Sequence, residues 1–145
     1  MNWKMDCFLA YATNLNPSLM ARLCPNAVPV GTFMLPDYEL VFRGVANAEK
    51  KTGATLPCVI WQLGLDDPLA LDTYERWPDF YIKERFTVTL NGESFYTLGY
   101  IMRACGRNKN PPTDAYLQKI VEGYEHFGFD TAPLYLAAGR TAEEE

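Results

Sequence analysis

The chain has 145 residues and a mass of 16.5 kDa, which suits one domain built on one hydrophobic core. Its net charge of −5 and pI of about 4.9 weigh against nucleic-acid or anionic-membrane binding, because both need a basic surface. Four separated cysteines without a C-x-x-C, a single His126, no signal-length apolar core and no long uninterrupted apolar run exclude a disulfide framework, a zinc site and a membrane helix as expectations. What they leave is a soluble cytoplasmic protein with reduced, partly buried thiols.

Met5–Tyr11 is a short apolar run that predicts a first strand. It ends in the polar turn Ala12-Thr13-Asn14-Leu15-Asn16-Pro17, where Asn16 can cap and Pro17 can open a helix through Leu23. A strand, a polar turn and a helix N-terminus in succession turn backbone N–H groups outward. Such a place is an ordinary connection or a site for a carboxylate. Ala27–Phe33 and Tyr38–Phe42 read as two strands joined around Leu35-Pro36-Asp37, and Pro29 suggests an edge or a bulge. Gly44 to Gly53 reads as a polar loop, and Thr55–Leu63 as a central strand.

The stretch Asp67 to Trp77 predicts a short helix, with Asp67 as cap, Pro68 in its first turn and Pro78 as its stop. On a 3.6-residue period Leu69, Ala70, Leu71, Tyr74 and Trp77 share a broad apolar face, while Asp72 and Arg76 form a solvent-side pair. Glu75 falls at the rim of that face. A carboxylate so placed is an ordinary boundary glutamate or a partly desolvated base.

The next segment alternates Ile82, Phe86, Val88 and Leu90 with Lys83, Arg85, Thr87 and Thr89; Asn91-Gly92 is the favoured two-residue hairpin turn, and Phe95 to Arg103 returns. Glu84 breaks the apolar register. After a polar loop, Thr113 caps an amphipathic helix with Tyr116, Leu117, Ile120, Val121, Tyr124 and Phe127 at helical spacing, closed by Gly128. Asp130–Ala138 predicts one more short helix, and 140–145 an acidic, disordered tail.

Several of these pieces carry a resemblance. Leu71-Asp72-Thr73-Tyr74-Glu75, followed by Tyr81, resembles the Leu-Asp-x-x-Glu…Tyr signature of the gamma-glutamylcyclotransferase-like superfamily. Tyr11-Ala12-Thr13-Asn14-Leu15 is similar to its Tyr-Gly-Ser-Asn-Leu loop. The segments Leu35–Phe42 and Val59–Leu63, then Tyr100, then Pro111-Pro112-Thr113-Asp114-Ala115-Tyr116 match further blocks in family order. The likeness runs from Phe8 to about Leu136.

The resemblance implies an α+β fold: a single small domain over residues 1–139, with a mixed, mostly antiparallel, barrel-like sheet flanked by helices. It implies a cyclotransferase that releases 5-oxoproline and a free amine or amino acid from a small gamma-glutamyl substrate, as in glutathione metabolism. Glu75 would be the general acid and base. Tyr11, Ala12, Thr13, Asn14 and Leu15, with Tyr81, Tyr100 and Tyr116, would bind substrate. By composition alone these tyrosines read equally as core aromatics. No metal, cofactor, nucleic acid or membrane is implied, and the chain would be a monomer or weak homodimer. Glu84, Asp79 and His126 find no family match and read as structural.

Two departures bear on the site. Ala12-Thr13 stands where the family has Gly-Ser, so a backbone that needed positive φ there would be strained by the alanine Cβ. Arg76-Trp77 replaces the glycine that usually follows the glutamate, adding bulk and a cation near the site. A binding module for a small carboxylate metabolite, or an interaction domain with a vestigial pocket, are the competing readings.

Overall fold

The computed structural model of the chain describes residues 7–102 and 107–139. The start of the predicted first strand, Arg103, Cys105 and the acidic tail lie outside the described residues. Among the described residues there are five strands: β1 (Cys7–Ala10), β2 (Val28–Arg43), β3 (Val45–Gln62), β4 (Tyr81–Leu90) and β5 (Glu93–Met102). They form one mixed sheet in the order β2-β3-β1-β5-β4. Among the pairings of these five strands, β1 with β5 is the parallel one. All four residues of β1 are buried, which is why this central strand reads as a plain apolar run without alternation.

The ends of the strand order approach one another. The Tyr38 hydroxyl of β2 donates to Glu84 of β4 at 3.4 Å, and its ring meets Phe86 edge-on at 5.6 Å. Glu84 therefore breaks the apolar register to meet the opposite edge of the curled sheet. This is the barrel-like α+β arrangement that the sequence predicts.

Among the described residues four α-helices flank the sheet: α1 (Pro17–Leu23), α2 (Asp67–Tyr74), α3 (Asp114–Phe127) and α4 (Ala132–Ala137). Asn16 caps α1 by accepting from the N–H groups of Ser18 and Leu19, and Thr113 caps α3 by accepting from Tyr116 N–H. Helix α3 buries Leu117, Ile120, Val121 and Tyr124, four of the six residues its periodicity selects, while Tyr116 and Phe127 are partly buried. No helix among the described residues is long and apolar enough to cross a membrane. The described cysteines, Cys7, Cys24 and Cys58, are buried thiols.

Three expectations need correction. Leu35-Pro36-Asp37 does not separate two strands. β2 continues through it with a register shift between Pro36 and Tyr38, and Asp37 takes φ 63° there. Its side chain accepts from Gly53 N–H, so a bulge absorbs the irregularity. Gly44 to Gly53 is not a loop either. Gly44, at φ 84°, turns the chain by itself, and β3 starts at Val45. The polar look of this segment hides buried Ala46, Asn47 and Ala48, and the Asn47 side chain accepts from Met102 N–H at 2.7 Å.

The third correction concerns α2. It stops at Tyr74, and Glu75 is its C-cap rather than a residue of its last turn. Asp67 is no cap, since its carboxylate accepts from Gly64 N–H at 2.7 Å. Of the predicted apolar face only Leu71 is buried, while Leu69 is 70% exposed. Asp72 and Arg76 do not pair: Asp72 binds Lys83 at 3.1 Å and accepts from the Tyr100 hydroxyl at 2.5 Å.

Candidate active site

A cavity of about 250 Å³ opens where the end of β1, the turn after it and the end of α2 meet. Its wall includes Tyr11, Ala12, Thr13, Asn14, Glu75, Tyr81, Tyr100 and Tyr116. Of the predicted site residues, Leu15 alone is missing from that wall. It is fully buried and faces α3, where it packs on Gly123.

The turn at 12–15 is fixed from several sides. Thr13 to Leu15 form a single 3-10 turn, closed by Leu15 N–H to Ala12 C=O. The Trp61 indole N–H of β3 donates to Asn14 C=O at 3.0 Å. Below it, the Asn16 amide donates to Lys119 C=O and to the Glu122 carboxylate of α3. Ala12 has φ −135°, so a Cβ meets none of the strain that positive φ would bring. Thr13 shares a hydrogen bond of 3.0 Å with the Tyr74 hydroxyl and donates to Asn14 Oδ1. Asn14 Nδ2 is buried and has no partner among the described residues. An unmet buried donor costs about 1–3 kcal/mol, and a ligand oxygen drawn against this wall can satisfy it.

Glu75 is half-buried at the C-cap of α2, and burial raises its carboxyl from 4.5 to about 7. Desolvation disfavours the charged form, and no cation offsets it. Arg76, the nearest cation in sequence, lies over Phe80 instead. The phenols around Glu75 are pushed upward, chiefly by their own burial and further by the Glu75 charge. They stay protonated through the neutral range, so they can only act as neutral donors and acceptors.

Three of those hydroxyl protons are already used. Tyr11 donates to Tyr100 C=O and Tyr81 to Ala46 C=O, each at 2.7 Å, while Tyr100 donates to Asp72. Tyr116 instead accepts from Ala46 N–H at 3.0 Å, and its hydroxyl also meets that of Tyr81. Ala46 thus sets two of the tyrosines through its backbone.

Sequence reasoning placed Arg76 near the site and missed Ala46, Tyr74 and Phe80 as cavity residues. Tyr74 directly precedes Glu75 and was signalled only by that adjacency. Ala46 gives no signal, because its role is entirely backbone. Among the described residues, no group of three His, Cys, Asp or Glu is arranged to hold a metal.

The model of one protein family, gamma-glutamyl cyclotransferase, AIG2-like, matches residues 8–124. The chain belongs to this family. No curated protein matches it. Solved structures share the fold at low identity. The uncharacterized protein loc79017 from Homo sapiens is 22% identical with a TM-score of 0.74, over 85% of this chain and 81% of its own. A structure described as gamma-glutamyl cyclotransferase is 20% identical with a TM-score of 0.74, over 84% of this chain and 79% of its own. YkqA from Bacillus subtilis is 17% identical with a TM-score of 0.75, over 93% of this chain and 54% of its own. At these identities the likeness concerns the fold. The family membership places the chain among AIG2-like proteins, and its chemistry has to be argued from the cavity.

Proposed function

We propose that this AIG2-like protein is a gamma-glutamyl cyclotransferase with Glu75 as its only general acid and base. The observation that supports this is one cavity holding a carboxyl raised to about 7, a turn rich in backbone N–H groups and a ring of neutral tyrosines.

In the reaction the α-amine of a gamma-glutamyl group attacks its own side-chain amide carbonyl. A nitrogen–carbon bond closes the five-membered lactam, and the bond to the leaving nitrogen breaks. The attacking nitrogen passes from ammonium to lactam N–H and gives up two protons. The leaving nitrogen takes up two and departs as an ammonium. Ionised Glu75 accepts a proton from the first nitrogen and the resulting acid donates it to the second, and a second such cycle carries the other proton and returns the carboxylate to its ionised form. The nucleophile is tethered to its electrophile, so the substrate itself meets much of the entropic barrier. The turn 11–14 would hold the α-carboxylate through backbone N–H groups and Asn14 Nδ2. The Tyr116 hydroxyl on the cavity wall is the candidate donor to the carbonyl oxygen as charge develops there.

A panel of gamma-glutamyl amines and gamma-glutamyl amino acids, assayed for 5-oxoproline release, tests this. Release from at least one member is the expected result. Binding without release from any member would make the chain a binding module on the same fold.

A further inference from the structure

Two arginines converge on one aromatic ring at the mouth of this cavity. The Arg76 guanidinium lies 4.2 Å from the centre of the Phe80 ring, and the Arg107 guanidinium lies 4.5 Å from the same centre. Phe80 and Arg76 both border the cavity. Phe80 N–H donates to Arg76 C=O at 2.9 Å, and this turn brings the ring back beneath the guanidinium. Arg76 holds φ 54°, a left-handed conformation that a non-glycine side chain adopts at a cost. Neither guanidinium has an ion pair with a carboxylate among the described residues. Arg43, beside Arg107, is different. It is paired with Glu49 at 2.7 Å, and it also donates to Arg107 C=O at 2.6 Å. A chain of net charge −5 thus gathers two uncompensated positive charges at one rim.

Depth decides which end of a substrate meets them. Tyr11, Thr13 and Asn14 are buried, whereas Arg76 and Arg107 are exposed. Glu75, which would move protons at the scissile bond, lines the same cavity and is intermediate in exposure between the two groups. The glutamyl end therefore goes inward and the leaving group outward. We infer that Arg76 and Arg107 form an anion subsite that selects gamma-glutamyl compounds whose leaving amine carries a carboxylate or another anionic group. Phe80 supports both cations by contact with its ring face. The inference rests on the cyclotransferase reading for the orientation of the substrate.

The test compares gamma-glutamyl-alanine with gamma-glutamyl-alaninamide, which differ in the leaving group's carboxylate alone. A charge-assisted contact predicts that kcat/KM favours the first by roughly tenfold at low salt, with the preference shrinking as ionic strength rises. In Arg76→Asn, chosen because asparagine tolerates left-handed backbone, and in Arg107→Gln, the ratio falls toward one. Calorimetry with the same two compounds on Glu75→Gln protein reads the preference without turnover. A ratio near one in the wild type overturns the inference while the cyclotransferase reading stands. So does a ratio that both variants leave unchanged, which is the outcome expected if Arg76 held the substrate's own α-carboxylate. Preferential binding of the anionic compound without turnover of either retains the subsite and removes the cyclotransferase reading. Failure of either compound to bind or react removes both.

Discussion

Glu75 has to be ionised to take a proton and protonated to return one, so a carboxyl near 7 serves both halves of the proposed reaction at neutral pH. Glu75→Gln keeps the shape and loses both transfers. Turnover should drop by at least about 10³, since one residue supplies both steps, with binding largely kept. Release of 5-oxoproline by wild type and variant measures it, and equal rates would move the base elsewhere. The same pKa has a consequence for stability. The folded carboxyl is raised above its ordinary 4.5, so between 4.5 and about 7 the folded state binds more protons than the unfolded one. Stability from this group is full below 4.5 and is lost as pH rises through 7. Glu75→Gln escapes that loss. At pH 8 the variant should be the more stable protein by roughly 2–3 kcal/mol, and at pH 4 the two should unfold alike. Denaturant titrations at both pH values check this, and a variant weaker at pH 8 would contradict the desolvation argument.

At the scale of elements, the turn at 12–15 owes its position to α3. A Cβ on Gly123 would stand 2.6 Å from the Leu15 Cβ and 2.9 Å from the Leu15 carbonyl carbon. Backbone cannot yield as a side chain can, so Gly123→Ala has to push the helix and the turn apart. Overpacking costs about 3 kcal/mol at its upper range, and alanine's better helix propensity returns about 1. A net loss of about 2 kcal/mol is expected, with weaker substrate binding beside it, measurable by unfolding and by KM. None of this is visible in the sequence, where Gly123 merely interrupts a good amphipathic pattern. The helix itself, its Thr113 cap and the Asn91-Gly92 hairpin were legible, because each rests on local periodicity or turn chemistry. The long β2–β3 hairpin was not. A glycine turn at Gly44 and a bulge at Asp37 look like loops until the partner strand is known. Asp72 misled for a related reason. Helix spacing offers it Arg76, whereas tertiary packing supplies Lys83 from β4 and Tyr100 from β5. The motif order along the chain pointed to the carboxylate, the turn and the three tyrosines. It could not show the depth ordering that leaves arginines at the rim and Leu15 behind the wall.

For the molecule as a whole, the cavity is a joint of nearly every layer: β1, the 12–15 turn, the end of α2, β4, β5 and α3 each contribute a wall residue. A ligand there contacts elements that must all be in place together, and so it binds the folded chain and not the unfolded one. By mass action, a ligand at a hundred times its Kd adds about 2.7 kcal/mol. For a chain of this length that corresponds to a rise in Tm of roughly 5–10 °C. 5-Oxoproline, the expected product, carries the carboxylate that the 11–14 turn is proposed to hold, and it lacks the leaving group that would reach Arg76. It should therefore raise the Tm of the wild type and of Arg76→Asn by similar amounts. Gamma-glutamyl-alanine on a Glu75→Gln background should lose part of its effect when Arg76 is also replaced. If residues 7–139 act as one cooperative unit, the whole unfolding transition should move upward without splitting, because no part of the wall can melt while the ligand stays bound. Scanning calorimetry across a ligand series separates the outcomes. A transition that divides into two would show that the wall belongs to more than one folding unit. A transition that 5-oxoproline does not move at any concentration would mean that the turn holds no carboxylate.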